Sequence, residues 1–320
     1  MIKIETKILI DKNLNKLIFL EELFGFRNSE WSKERRIEYF KFLEIKNISK
    51  YKNEFWNLLS DVPSGLLELI FTFSTKERAS ILKREFGEEK YIKIESLIKK
   101  LNKDFYKSFG KIWSEKHSKL LNIKKIINKN KKLIEDSILV LNSFLEIKQR
   151  KTIKINIYLI FGSENRNDIN AFFSKFENRA DIFIDGHFFD SKDENFSSLL
   201  IIHELAHLLL RESNKLDLLN GFARENKKQI IKIISENKLN IPNEIFFEEL
   251  FISLFAPEGY FREKYFNQKI IKPKIKNGKI LRFKDLRKLT SYKLKDILTL
   301  YLDQNKSLDK NLLDKIIKGE

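Results

Sequence analysis

"SSLLIIHELAHLLLRES", residues 197–213, sets two of the chain's four histidines and a glutamate inside a run of aliphatic side chains. Leu199, Leu200, Ile201, Ile202, Leu205, Ala206, Leu208, Leu209 and Leu210 surround these polar groups on nearly all sides. That pattern predicts a helix buried within a core. Burying two imidazoles and a carboxylate there without partners would cost several kcal/mol. A bound cation removes that cost. Residues four apart share one face of a helix, so His203 and His207 can present two ring nitrogens to one ion at about 2.0–2.1 Å. Glu204 then points beside the ion, where a carboxylate can take a proton from water held there.

Two histidines do not complete such a site, because catalytic zinc usually has three protein ligands plus water. No histidine follows His207, so the third donor is expected to be a carboxylate. "IPNEIFFEELFISLFAPEGY", residues 241–260, is a second very apolar helical run, and it carries Glu244, Glu248 and Glu249. Glu244 and Glu248 share a face, so one can bind the ion while the other accepts the second ring N–H of a ligand histidine. Glu249 is turned about 100° from Glu248 and replaces either if the helix rolls. Glu244 ranks first as ligand, with Glu248 behind it and both Glu248 and Glu249 as alternatives.

Composition narrows the remaining possibilities. The 320 residues lack cysteine, which excludes disulfides, thiolate catalysis and cysteine-ligated metals. Lys and Arg outnumber Asp and Glu by 62 to 45, a net charge of +17. The lysines are dispersed along the chain and not gathered in one run, which reads as a solvated surface. Nucleic acid is therefore not the expected partner. Neither a signal peptide nor a run of roughly 20 apolar residues is visible, so the expectation is a cytoplasmic protein without a membrane partner.

Only one proline, Pro63, and four glycines interrupt the first 150 residues, so long helices are expected there. From Glu77 to about Ile147 apolar residues recur at helical spacing. "TIKINIYLIF" (152–161) alternates like a strand, and "NAFFSKF" (170–176) and "ADIFIDG" (180–186) read as two more. Helical period resumes at Ser197. The fold class expected is α+β and predominantly helical, with an all-helical region at 1–150 and, at 151–320, a domain carrying a small mixed sheet and the motif helix.

These residues resemble a family. HELAH followed by a glutamate helix is similar to the gluzincin metallopeptidases, and "NEIFFEELF" resembles the glutamate helix of thermolysin-like and anthrax lethal factor-like catalytic domains. "NAFF" and "IFIDG" are similar to the substrate-binding edge strand and its neighbour in those enzymes. "HELAHLLL" and "SLFAP" are also similar to ImmA-like peptidases, whose frame favours Glu249. The resemblance covers about residues 150–260. It implies a zincin-like fold, one zinc ion, His203, His207 and Glu244 or a neighbour as ligands, Glu204 as general base, and a peptide or protein substrate. The backbone of Asn170, Ala171 and Phe172 would pair with that substrate by strand addition. Two departures stand out: Phe247 occupies a position usually small, and no tyrosine lies between His207 and Glu244 to serve as a transition-state donor. Tyr260, His187 or Arg224 could fill that role.

The competing expectation is a non-catalytic regulatory or nucleic-acid-binding protein with a structural metal. Glu204 argues against it, since a structural site has no use for a base. Trp31, Trp56 and Trp113 read as packing anchors, His117 as a surface residue, and "KPKIKNGK" (272–279) as a solvated basic loop.

Overall fold

A computed structural model describes residues 2–24, 48–62, 66–160, 171–176, 179–185, 195–239, 241–273 and 282–319. Numbered along the described chain, the elements begin with β1 (Ile2–Leu9), α1 (Lys12–Leu23), α2 (Ile48–Leu59), α3 (Leu66–Phe71), α4 (Thr75–Phe86) and α5 (Glu88–Asp104). They continue with α6 (Tyr106–Lys129), α7 (Lys131–Phe144), β2 (Lys151–Ile160), β3 (Ala171–Phe176) and β4 (Arg179–Asp185). The last are α8 (Phe196–Arg211), α9 (Lys215–Glu225), α10 (Lys227–Glu236), α11 (Asn243–Ser253), α12 (Tyr260–Phe266), α13 (Phe283–Asp303) and α14 (Lys310–Lys318). The class is α+β, mostly helical, with one four-stranded sheet of order β1-β2-β4-β3. No helix among the described residues is long and apolar enough to cross a membrane.

The chain divides into two compact units, neither continuous in sequence. One comprises Met1–Glu5, Lys129–Ile153 and Asn195–Glu320, the other Thr6–Asn128 and Lys154–Glu194. The change of texture near residue 150 falls beside one crossing between the units, at Ile153, but each unit also takes segments from elsewhere in the chain. The reading of residues 1–150 as wholly helical also misses β1, whose alternation buries Ile2, Ile4 and Ile8. Eight residues with lysines interleaved carry too short a period to stand out beside the long helices that follow.

In the second unit β4 pairs parallel to β2 (Ile155↔Ala180) and antiparallel to β3 (Ala171↔Ile184), which makes the sheet mixed. Tyr158, Phe183 and Phe172 fall in one cross-strand row, with ring centroids 5.6 and 4.8 Å apart. Phe19, Phe24, Phe55, Phe105 and Phe109 form the aromatic heart of this unit's core. Trp56 donates to the Phe24 carbonyl at 2.9 Å, and Trp113 stacks between Phe109 and His117. Trp31 lies outside the described residues.

The first unit is built around α8, whose side chains from Phe196 to Leu210 are all buried. Asn130, just ahead of α7, donates to Asn195 Oδ1 and Ser198 Oγ, both at 3.0 Å, and so ties α7 to the first turn of α8. Asn142 on α7 both accepts from the backbone N–H of Ile2 and donates to its carbonyl, each at 2.9 Å. Phenylalanines dock α11: Phe247 stacks on Phe222 of α9 at 5.3 Å, Phe251 on Phe144 of α7 at 6.4 Å, and Phe246 meets Phe283 of α13 at 5.4 Å. Phe247, large where the resemblance leads one to expect a small residue, has this packing role.

After α11 the chain folds back tightly. Tyr260 N–H donates to Leu254 O at 2.7 Å and Phe261 N–H to Phe255 O at 2.9 Å. A Cβ at Gly259 would lie 1.8 Å from Leu254 O and 2.7 Å from Ser253 O, so only glycine lets the turn close. Gly221 in α9 has open space at the same place. Gly259→Ala is expected to destabilise by at least about 2 kcal/mol through overpacking, whereas Gly221→Ala should stabilise by about 0.5–1 kcal/mol through helix propensity. Urea unfolding midpoints of the two variants check this; equal shifts would contradict the close approach.

Candidate metal centre

Two helices of the first unit make the site. His203, Glu204 and His207 on α8 are 5%, 7% and 8% exposed. Glu248 and Glu249 come from α11. The ring atoms of both histidines are oriented from behind. His203 Nδ1 lies 2.8 Å from the carbonyl oxygen of Ala256, in the turn after α11. His207 Nδ1 lies 2.5 Å from Glu248 Oε1. A carbonyl and a carboxylate only accept, so each Nδ1 carries the hydrogen and each Nε2 of the neutral ring keeps a lone pair.

Those two lone pairs point at one another and at a carboxylate. His203 Nε2 and His207 Nε2 are 3.2 Å apart. Glu249 Oε2 is 3.3 Å from the first and Glu249 Oε1 is 3.1 Å from the second. Three acceptors cannot be held this close without a cation among them. His203, His207 and Glu249 form a group whose ligand atoms all lie within 4.8 Å of one another, and it could hold a metal ion. It is the one such group among the described residues.

Electrostatics tells the same story. Burial alone would lower His207, yet the hydrogen bonds it donates to Glu248 and Glu249 outweigh it and push the imidazole up to about 10. Burial raises Glu249, but the two histidines overcome it and hold its carboxyl well below the ordinary range. Glu248 is also lowered, its burial outweighed by the bond to His207. Without a metal, a proton on His207 supplies the cation that the acceptors demand. Glu204 goes the other way: burial dominates and raises its carboxyl, with His203 and His207 opposing.

The sequence reading and the geometry differ on the third donor. Glu244, ranked first, sits exposed in the first turn of α11 and takes no part in the group. Glu248 is turned to the far ring nitrogen of His207, the orienting role foreseen for one of the pair. Glu249 reaches the Nε2 atoms because α11 is rolled by the 100° that separates successive residues. The roll follows from burying Phe246, Phe247, Leu250 and Phe251, which leaves the Glu244 position facing solvent.

The other named residues fall elsewhere. Ala171 and Phe172 lie on β3, an end strand of the sheet, and in the other unit; Asn170 is outside the described residues. So is His187. Arg224 is exposed on α9, and Tyr260 lines a cavity with Phe144, Leu302 and Asp303. Two residues of the site had no sequence signal strong enough to find them. Arg287 of α13 donates through Nη1 to Glu249 Oε2 at 3.3 Å and through Nη2 to Glu258 Oε1 at 3.1 Å. One arginine among 62 basic residues offers no contrast. Glu258, an acid between proline and glycine, offers a little.

Comparison of the chain with protein-family models, with curated proteins and with solved structures finds no match in any of the three. The donor assignment is therefore tested on the molecule itself. Glu249→Gln is expected to abolish stoichiometric zinc uptake, and Glu244→Gln to leave it intact. Metal content after dialysis decides between them, and the reverse result would restore Glu244 as ligand.

Proposed function

We propose that the chain is a zinc-dependent peptidase of the gluzincin type, with His203, His207 and Glu249 as zinc ligands and Glu204 as general base. One observation carries the reading: both histidines have their Nδ1 hydrogens committed to Ala256 O and Glu248, so two bare Nε2 atoms and a carboxylate converge while a buried glutamate remains uncommitted to the group. Two imidazole nitrogens and one carboxylate are the donor set of catalytic zinc, which keeps a fourth position for water or substrate. A structural site would close that position with a fourth ligand. When bound, zinc supplies a Lewis acid for the scissile carbonyl and lowers the pKa of water.

The protein's own groups do the rest. Glu204 follows the first ligand histidine on α8 and is shielded from solvent. Burial raises its carboxyl above the ordinary carboxylate range, and a general base of this kind must first accept a proton and then return it. As the attacking water forms its bond to the carbonyl carbon, its proton passes to the Glu204 carboxylate. The same proton goes on to the leaving nitrogen as the carbon–nitrogen bond breaks. Glu248 holds His207 in the tautomer that leaves Nε2 bare, and the Ala256 carbonyl does the same for His203. The apolar walls of α8 and α11 exclude bulk water, so these interactions act in a medium of low polarity.

Glu204→Gln keeps the shape of the side chain and removes the base. It is expected to retain one zinc per chain and to lower hydrolysis of a degenerate peptide mixture by about 100-fold or more, read by mass spectrometry of the products against the zinc-loaded parent. Hydrolysis at the parental rate in this variant, or a zinc-loaded parent that cleaves nothing in the mixture, contradicts the proposal.

A further inference from the structure

Arg287 stands between two carboxylates of very different standing. Glu249 belongs to the metal group, while Glu258 touches neither histidine. The Glu258 side chain is 4% exposed and that of Arg287 is 19% exposed. Burying an acid beside the turn that carries Ala256 is costly unless a cation meets it. Arg287 meets it with Nη2 and spends Nη1 on Oε2 of Glu249. The guanidinium also rests over the ring of Phe283 at 5.6 Å, which limits its freedom. Glu258 Oε2 and Arg287 Nε have no hydrogen-bond partner among the described residues. Nη1 and Nη2 thus each meet one carboxylate, and the Nε–H is left over.

We propose that Arg287, anchored on Glu258, is a positioning residue of the metal centre that engages Oε2 of Glu249 and so presents Glu249 to the metal as a one-oxygen ligand. The proposal rests on the metal-centre reading given above. Its physical basis is competition for lone pairs. A free carboxylate can offer a cation both oxygens, raising the coordination number and filling the position that water needs. A guanidinium fixed against one oxygen makes the second metal contact unfavourable by charge repulsion and geometry. Both oxygens face the group, Oε1 at 3.1 Å from His207 Nε2 and Oε2 at 3.3 Å from His203 Nε2, but only Oε2 accepts a hydrogen bond from the arginine, which leaves Oε1 as the oxygen with its lone pairs free of Arg287. Lysine could not replace arginine here, because a single ammonium cannot bridge two carboxylates through separate N–H groups in a fixed plane.

Cobalt(II) reports both affinity and coordination number, so the full-length protein is stripped of metal and titrated with cobalt as parent, Arg287→Met and Arg287→Lys. The expected result is binding 10–100-fold weaker in both variants, measured by competition with a chelator, together with weakened visible bands as coordination rises above four. Circular dichroism and melting establish that each variant is folded, and Arg287→Lys, which keeps the charge and the stem, guards against a collapse of Arg287→Met. Folded variants with parental affinity and bands overturn the positioning role. So does a loss of affinity with unchanged bands, which is what mere softening of the structure would give. A parent that takes up no cobalt overturns the metal-centre reading itself, and this role with it.

Discussion

Two imidazoles whose outer nitrogens are already committed dictate the rest of the first unit. With Nδ1 of His203 on the Ala256 carbonyl and Nδ1 of His207 on Glu248, neither ring can turn its donor inward. The inner nitrogens must then share a cation with Glu249, and every neighbouring element is placed to keep them there. The α8 helix supplies a rigid rail at the four-residue spacing, and α11 supplies one glutamate behind a histidine and one in front of both. The close return at Gly259 brings the Ala256 carbonyl and Glu258 to their stations. Loosening any of these frees a ring to rotate, and the convergence is lost.

The apolar packing has a second consequence. Phenylalanines from α7, α9 and α13 pack against Phe246, Phe247 and Phe251 of α11, so its rotation about its own axis is set by hydrophobic contact and not by the polar group it serves. The choice among three glutamates is thereby made by where Phe246, Phe247 and Leu250 are buried. This is a general feature of sites on helices: the polar residue that reaches the centre is the one left facing it after the large side chains have found room.

How much of this could be read in advance follows from the range of each constraint. The HELAH pairing is local, contained in one turn of helix, and the burial of its flanks is printed in the aliphatic run; both are as expected. The three strands at 151–185 were visible from alternation and aromatic content, within a residue or so at each end. The third ligand was not, because the roll of α11 depends on Phe222, Phe144 and Phe283, residues remote in sequence. Glu249 was admitted only as the outcome of such a roll and through the likeness of "SLFAP" to ImmA-like peptidases, and Ala256 within that segment now has a contact of its own with His203. Arg287, 38 residues beyond Glu249, leaves no periodic trace. Nor did the discontinuity of the two units, since contacts that knit residues 1–5 to 129–153 and 195–320 are long-range by nature.

Charge balance joins these pieces. The chain as a whole is strongly basic, yet acids gather at this one place. Glu249 and Glu258 meet Arg287, and Arg211 at the end of α8 acts on Glu204 and Glu248, while the histidines are neutral in the state that leaves Nε2 free. The histidines hold Glu248 and Glu249 toward the ionised form, while burial pushes Glu204 the other way. Burial works against a charged His207, but Glu248, Glu249 and Glu204 outweigh it and push the imidazole up to about 10. A divalent cation bound at the Nε2 atoms would take the place of that proton. The convergence of acceptors that favours a proton on His207 is thus the same convergence that makes the group receptive to a metal, and competition between the two cations sets the affinity.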